Sequence, residues 1–270
     1  MQVKNKTEYV LGNERSILNK LGSRSLNNEA SALLPFIDDA RSILDAGCGT
    51  ASITSEVACA CPDANVVGVD VDGLQIQQVR EKYREIKNLS FFQKDLHALD
   101  FDDNTFDLVF SHTVLMHLQD PSKALNELYR VCKPGGRIVL REGAGALEIL
   151  PGVNVGKDNL SLSEFLKEVL SAAGGTPDIG LKIKKLASAA GFSSIKYKVD
   201  AVSYSTFEEL LLLKEWYQDL IMGHMGKVAL SHHLISEEDL FNLSQKIDMF
   251  PFDNSSISVV VWGEVVGIKE

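Results

Sequence analysis

SILDAGCGTASITSEV, residues Ser42 to Val57, holds a strand, a glycine turn and a helix start in direct succession. Ile43 and Leu44 form a short apolar run that ends in Asp45, the pattern of a buried strand. Gly47 and Gly49 then let the backbone turn sharply and approach a ligand more closely than side chains permit. Thr50 opens a helix whose first amides point at whatever sits above the turn. Together these make a nucleoside-sized cradle. The dinucleotide fingerprint G-x-G-x-x-G shares this geometry, and the carboxylate it wants about 20 residues further on is present as Asp70. Ser52, however, stands where that fingerprint needs its third glycine. Asp45, two residues before Gly47, is placed to accept from an ammonium or a water over the turn, which favours a cationic amino-acid nucleoside over a pyrophosphate.

Strands and helices alternate on either side of this stretch. Asn28 to Ile37 reads as a helix leading into the first strand. Asn65 to Asp70 is nearly all apolar before its terminal carboxylate, as in a strand buried on both faces of a parallel sheet. Asp70 therefore emerges at the carboxyl edge, where open α/β sheets bind ligands. Asp72 with Gln75 reads as a capping pair for a helix carrying Leu74, Ile76, Val79, Tyr83 and Ile86. Leu89 to Lys94 is a third strand, ending in Asp95, and Phe106 to Phe110 a fourth, ending in Ser111 and His112. Asp120 and Pro121 start the next helix, K-P-G-G at 133–136 ends it, and Arg137 to Leu140 is a fifth strand leading into Arg141 and Glu142. This order predicts an α/β fold built on a doubly wound parallel sheet. Leu160 to Ala173 and Ile179 to Ala190 read as helices, and Ser194 to Val202 and Ile257 to Gly267 as two further strands.

Composition narrows the function. A chain of 270 residues, 45% apolar, holds one large domain with additions. A formal charge of −10 and a pI near 5.1 provide no basic footprint for a phosphate backbone, which speaks against nucleic acid as partner. The cysteines at 48, 59, 61 and 132 form no paired C-x-x-C framework, as suits a reducing compartment, and no second ligand pair follows Cys59 and Cys61 to suggest a metal. No signal-like n-region and h-region opens the chain, and no apolar run approaches the roughly 18 residues of a membrane span. The expectation is a soluble cytoplasmic protein.

The motifs D-A-G-C-G-T-A at 45–51, V-G-V-D at 67–70, Q-K-D-L at 93–96, F-D-L-V-F-S-H at 106–112 and L-Y-R-V-C-K-P-G-G-R at 128–137 resemble, in order and spacing, those of class I S-adenosylmethionine-dependent methyltransferases. The resemblance is to the small-molecule type, as in ubiquinone/menaquinone biosynthesis and its natural-product relatives. The family's first motif usually reads D/E-x-G-x-G-x-G, and this chain departs from it only at Ala51. The resemblance implies a Rossmann-like seven-stranded sheet of order 3-2-1-4-5-7-6 with the last strand antiparallel. It also implies a division into an N-terminal cap (1–30), a cofactor-binding core (31–202 plus 253–270) and a helical substrate lid (203–252) inserted between the sixth and seventh strands. The implied methyl donor is S-adenosylmethionine, released as S-adenosylhomocysteine, with no metal.

Carried onto this sequence, the resemblance implies that Asp70 accepts from both ribose hydroxyls, beside Val71. Asp95 takes the adenine amine while the backbone of Leu96 addresses a ring nitrogen, and Gln75 packs on adenine or ribose. Asp45 and the backbone of Gly47, Cys48 and Gly49 hold the amino-acid end, and Tyr9 folds over the cofactor. Ser111 and His112 leave the fourth strand under the sulfonium. A base is needed only where the acceptor must lose a proton before attack; His112 is the first candidate, His117 the second and His224 the third. Glu142 stands at the pocket rim, as a substrate contact or a surface ion pair. The acceptor is expected to be a small, largely apolar molecule, and a homodimer stays open. The competing readings are a non-catalytic S-adenosylmethionine-binding scaffold, a macromolecule methyltransferase and a nicotinamide oxidoreductase. Acidity and the lack of an N-P-P-Y-like tetrad oppose the second, and Ser52 opposes the third.

Overall fold

Short helices open the chain because its first segments carry breaks. In the computed structural model, which describes residues 9–12, 15–148, 153–156, 160–250 and 256–270, these are α1 (Arg15–Gly22), α2 (Leu26–Glu29) and α3 (Leu34–Ile37). Residues 1–8 and 13–14 of the expected cap, and 251–255 at the expected junction of lid and core, lie outside the described residues. The single helix expected over 28–37 is interrupted. Ser25 caps α2 on the Asn28 amide, a 3-10 turn at Ser31–Leu33 follows, and Pro35 begins α3 anew, since it lacks the amide that would carry a helix through it.

The apolar runs form β1 (Ser42–Ala46), β2 (Asn65–Asp70), β3 (Leu89–Gln93), β4 (Phe106–His112) and β5 (Cys132–Glu148), connected through α4 (Ser52–Ala60), α5 (Gly73–Lys82) and α6 (Pro121–Val131). Asp72 caps α5 on the amides of Leu74 and Gln75, and Asp120 caps α6 on that of Lys123 with Pro121 behind it. A two-stranded hairpin, β6 (Asn154–Val155) with β7 (Leu160–Ser161), leads to α7 (Leu162–Ala172), a 3-10 turn at Ile179–Leu181 and α8 (Ile183–Ala189). The chain then makes β8 (Ser193–Tyr204), α9 (Phe207–Met222), α10 (His224–Ser231), α11 (Glu237–Asp248) and β9 (Ser258–Ile268). The seven-stranded sheet runs β3-β2-β1-β4-β5-β9-β8, with β9 antiparallel to both neighbours. Numbered among the sheet strands alone, this is the order 3-2-1-4-5-7-6.

Apolar side chains pack both faces. Ile43, Val66, Leu108 and Val139 meet α2, α3 and α4 on one side, and Leu44, Val67, Val109, Ile138 and Leu140 meet α6 and α8 on the other. β5 is far longer than the stretch expected at 137–140, because β9 pairs with it from Arg137 up to Glu148. The resulting ribbon stands above the carboxyl edge. There a separate cluster joins Leu213, Tyr217, Ile221, Val228 and Leu243 of α9–α11 to α7 and to Val10 and Ile17 of the N-terminal segment. G-H-M-G at 223–226 is helical from His224 onward, and a Cβ on Gly226 would fall 1.9 Å from the Ile221 carbonyl oxygen. Gly180, in the 3-10 turn, lies backbone to backbone against Gly263 of β9.

Candidate active site

The glycine turn is held against β2: the amides of Gly47 and Cys48 donate to the Val69 carbonyl at 2.8 and 2.9 Å. Gly47 has φ 89°, and a Cβ there would lie 2.3 Å from a Val114 methyl, so both conformation and space exclude a side chain. Ala51, in place of the family's last glycine, holds the left-handed region at φ 57° and opens α4. At the end of β2, the Gly49 amide donates to Asp70 Oδ2 and the Asp72 amide to Oδ1, each at 3.0 Å. Each oxygen keeps a second lone pair, the arrangement a vicinal diol needs. Burial raises the Asp70 carboxyl against the pull of those amides.

Asp45 is buried below the turn and accepts from Thr54 Oγ1 at 2.5 Å. Burial pushes its carboxyl up to about 7, with Thr54 opposing and the Asp70 charge adding. Gln75 is buried in the first turn of α5, while Val71 and Leu74 are exposed at the same edge. Asp95 Oδ1 accepts from the His97 amide at 2.9 Å and lies 2.7 Å from its ring Nδ1. Burial resists ionisation of Asp95, but the His97 amide and ring outweigh it and hold the carboxyl below the usual range. Leu96 beside it is buried.

At the end of β4, Ser111 is buried and donates to the Ala46 carbonyl at 3.0 Å, tying β4 to the foot of the glycine turn. His112 and His117 are brought to the same edge. Burial, then Arg24 and Arg141, holds His112 well below the usual imidazole value, and burial with Arg24 takes His117 to about 4. Tyr9 packs edge-on against His117 with centroids 5.0 Å apart, which places it beside the turn that follows β4. His224 begins α10 in the insertion, on a different element from the other two.

Arg24 and Trp262 join this edge although sequence reasoning did not assign them to it, and Glu142 takes a different part in it from the one expected. Arg24 reaches across from the N-terminal segment to donate to Thr113 Oγ1 at 2.8 Å. Trp262 of β9 lies 5.9 Å from the His112 ring and under Arg141. Glu142 is neither a rim contact nor a surface ion pair. It is fully buried and accepts from the amides of Val114 at 2.9 Å, Leu115 at 2.8 Å and Met116 at 3.4 Å, fixing the turn that carries His117 and presses Val114 onto Gly47. Burial pushes its carboxyl up to about 7 against those amides. A buried carboxylate this far from its partners in sequence leaves no local pattern to read.

Residues 44–140, from β1 into β5, match the family described as Methyltransferase domain. An uncharacterized methyltransferase of Schizosaccharomyces pombe is 39% identical over 118 residues, 41% of this chain and 42% of that protein. The ubiquinone/menaquinone biosynthesis C-methyltransferase UbiE of an Enterobacter species is 36% identical over 106 residues, 38% of this chain and 42% of that protein. The chain spans about two fifths of the length of the curated relatives it matches. A putative methyltransferase of Bacillus halodurans shares the fold, with a TM-score of 0.57 and 17% identity over 88% of this chain and 97% of that one. The matched segment contains Asp45, the glycine turn, Asp70, Asp95, His112 and His117; it matches the methyltransferase domain family and is similar in sequence to the ubiquinone/menaquinone C-methyltransferases.

Proposed function

We propose that this protein transfers a methyl group from S-adenosylmethionine to a small, largely apolar organic acceptor in the cytoplasm. The observation that carries the reading is the Asp70 carboxylate, drawn onto the glycine turn by the Gly49 amide with a lone pair to spare on each oxygen. The donor set fits the nucleoside: Asp70 for the ribose diol, Asp95 and the Leu96 backbone for adenine, Gln75 and Val71 along the rings, and Asp45 with the Gly47–Gly49 turn for the ammonium end. When bound, the cofactor supplies an electrophilic methyl on a charged sulfur. What the chain must do is align the acceptor in line with that methyl and keep water out. Asp70→Ala is expected to weaken S-adenosylhomocysteine binding by about 1.5 to 3 kcal/mol, the range for hydrogen bonds to a charged group. Titration calorimetry measures it, and an unchanged dissociation constant in a folded variant would move the cofactor elsewhere.

In this reading the 203–252 insertion and the Tyr9 segment form the lid over a core of 31–202 plus 253–270. The shared cluster of Val10, Ile17, α7 and α9–α11 supports their acting together. Amide exchange in both segments is expected to slow when S-adenosylhomocysteine binds. Exchange identical with and without it would leave the insertion a static scaffold.

A further inference from the structure

A general base must turn an unprotonated ring nitrogen toward its substrate, and the partners of His112 place that nitrogen on the other side. Arg24 Nη1, which can only donate, lies 3.4 Å from His112 Nδ1. Thr113 Oγ1 stands 3.3 Å from the same nitrogen, and because this hydroxyl already accepts from Arg24 at 2.8 Å, its own proton is free to point at Nδ1. Two donors thus converge on Nδ1, which must carry the lone pair. In the neutral ring the proton then sits on Nε2. His112 Nε2 is buried with no hydrogen-bond partner among the described residues. A buried N–H left unpaired is costly, so this atom calls for an acceptor.

The surrounding charge says what kind. Arg141 is balanced by Asp200 at 2.8 Å and Glu264 at 3.5 Å. Arg24, in contact with His112, has no carboxylate within ion-pair distance among the described residues. One cation without a direct ion pair, with Glu29 and Glu142 acting on it only at longer range, and one unpaired N–H therefore stand side by side at the end of β4.

We propose that His112 serves as a hydrogen-bond donor, through Nε2–H, to an oxyanion held beside Arg24, and not as a general base. The proposal rests on the methyltransferase reading and narrows its substrate class to an acceptor that binds already ionised, as a phenolate, enolate or carboxylate. The acceptor has lost its proton to solvent before binding, so no side chain takes one up. In the transfer its electron pair forms the new bond to the methyl carbon, the carbon–sulfur bond breaks, and that pair returns to sulfur, leaving a neutral thioether. The amino-acid carboxylate of the cofactor offers the same chemistry from a second source.

The test is nitrogen NMR of histidine-labelled protein at pH 7, with the His112 signals assigned through His112→Gln and, independently, through the shift caused by Thr113→Val. The ring is expected as the Nε2–H tautomer. Three arms then separate the sources: 5′-methylthioadenosine, which lacks the amino-acid tail; S-adenosylhomocysteine; and S-adenosylhomocysteine with 4-nitrophenolate. Movement of the Nε2 signal on adding S-adenosylhomocysteine but not 5′-methylthioadenosine assigns the site to the cofactor carboxylate and overturns the narrowing of the substrate class. Movement only with 4-nitrophenolate assigns it to the acceptor, and His112→Phe should then weaken that binding about tenfold or more while His112→Gln, which keeps a donor at the Nε2 position, restores most of it. An Nδ1–H tautomer, or an Nε2 signal unmoved in every arm, overturns the proposal. Failure of S-adenosylhomocysteine to bind, measured separately by calorimetry, would overturn the methyltransferase reading and leave the tautomer result standing.

Discussion

Gly263→Ala is expected to cost about 3 kcal/mol of stability, while Gly267→Ala four residues on in the same strand costs about 1 kcal/mol. A Cβ on Gly263 would lie 2.1 Å from the carbonyl oxygen of Gly180, 2.6 Å from its carbonyl carbon and 2.9 Å from its Cα. Two backbones meet here, and neither has a flexible end to swing aside. The Gly180 carbonyl is also held from behind, accepting from Tyr197 Oη at 3.0 Å. The nearest atoms to a Cβ on Gly267 are Ile138 Cγ2 and Phe192 Cβ at 3.3 Å and Ile195 Cγ1 at 3.4 Å, so the isoleucines need only small rotations and Phe192 a backbone adjustment of a few tenths of an ångström. Urea denaturation of the two variants measures the contrast. Equal losses would mean that the 3-10 turn at Ile179–Leu181 can lift away from β9 without consequence.

The second large effect concerns pH. Glu142 and Asp45 are buried with carboxyls raised to about 7, so between about pH 4.5 and 7 the folded chain holds protons that the unfolded chain has released. Their contribution is full below the unfolded pKa and fades as pH rises through 7. His112 and His117 act in the opposite sense. Their rings are held below the usual value by burial and by Arg24, so acidification below about 6.5 protonates them in the unfolded chain first and lowers stability. The two pairs oppose each other in the wild-type chain. Glu142→Gln removes one member and should therefore lose on the order of 3 kcal/mol relative to the wild type between pH 7.5 and 5. Urea midpoints of both proteins at the two pH values give the double difference. A difference that does not change with pH would mean that Glu142 is ionised throughout.

Much of this architecture was legible in the chain because its signals are local. Asn65 to Asp70 is β2 to the residue, since an apolar run bounded by an asparagine and a carboxylate leaves little choice of ends. The terminal strands were readable from polar-apolar alternation at 194–202 and from an apolar run at 257–267, and the structure extends or shifts them by only one or two residues at an end, to Ser193–Tyr204 and Ser258–Ile268. What could not be read was long-range. R-E-G-A-G-A-L-E after Leu140 shows neither alternation nor a β-branched run, and it becomes strand because β9 supplies its partners. Arg24 sits in a polar stretch where nothing marks it as reaching Thr113, a contact across 89 positions. The histidines were found as residue types at a strand end, but the side on which His112 carries its proton depends on Arg24 and could not be anticipated without it.

The placement of β9 has a consequence for biosynthesis. The five parallel strands can pair in the order in which they leave the ribosome, as each new strand finds a neighbour already made. β8 cannot, because the strand that joins it to β5 is the last of the sheet to be synthesised. Until residue 268 has emerged, the nascent chain carries one long unpaired edge on β5 and an unpaired β8 of 12 residues, joined to β9 by the helices of the insertion. Exposed edges of that length are templates for pairing with a second chain. The interval between the appearance of β8 and that of β9 is therefore when this protein is most in need of a chaperone and most exposed to association between neighbouring chains on one message.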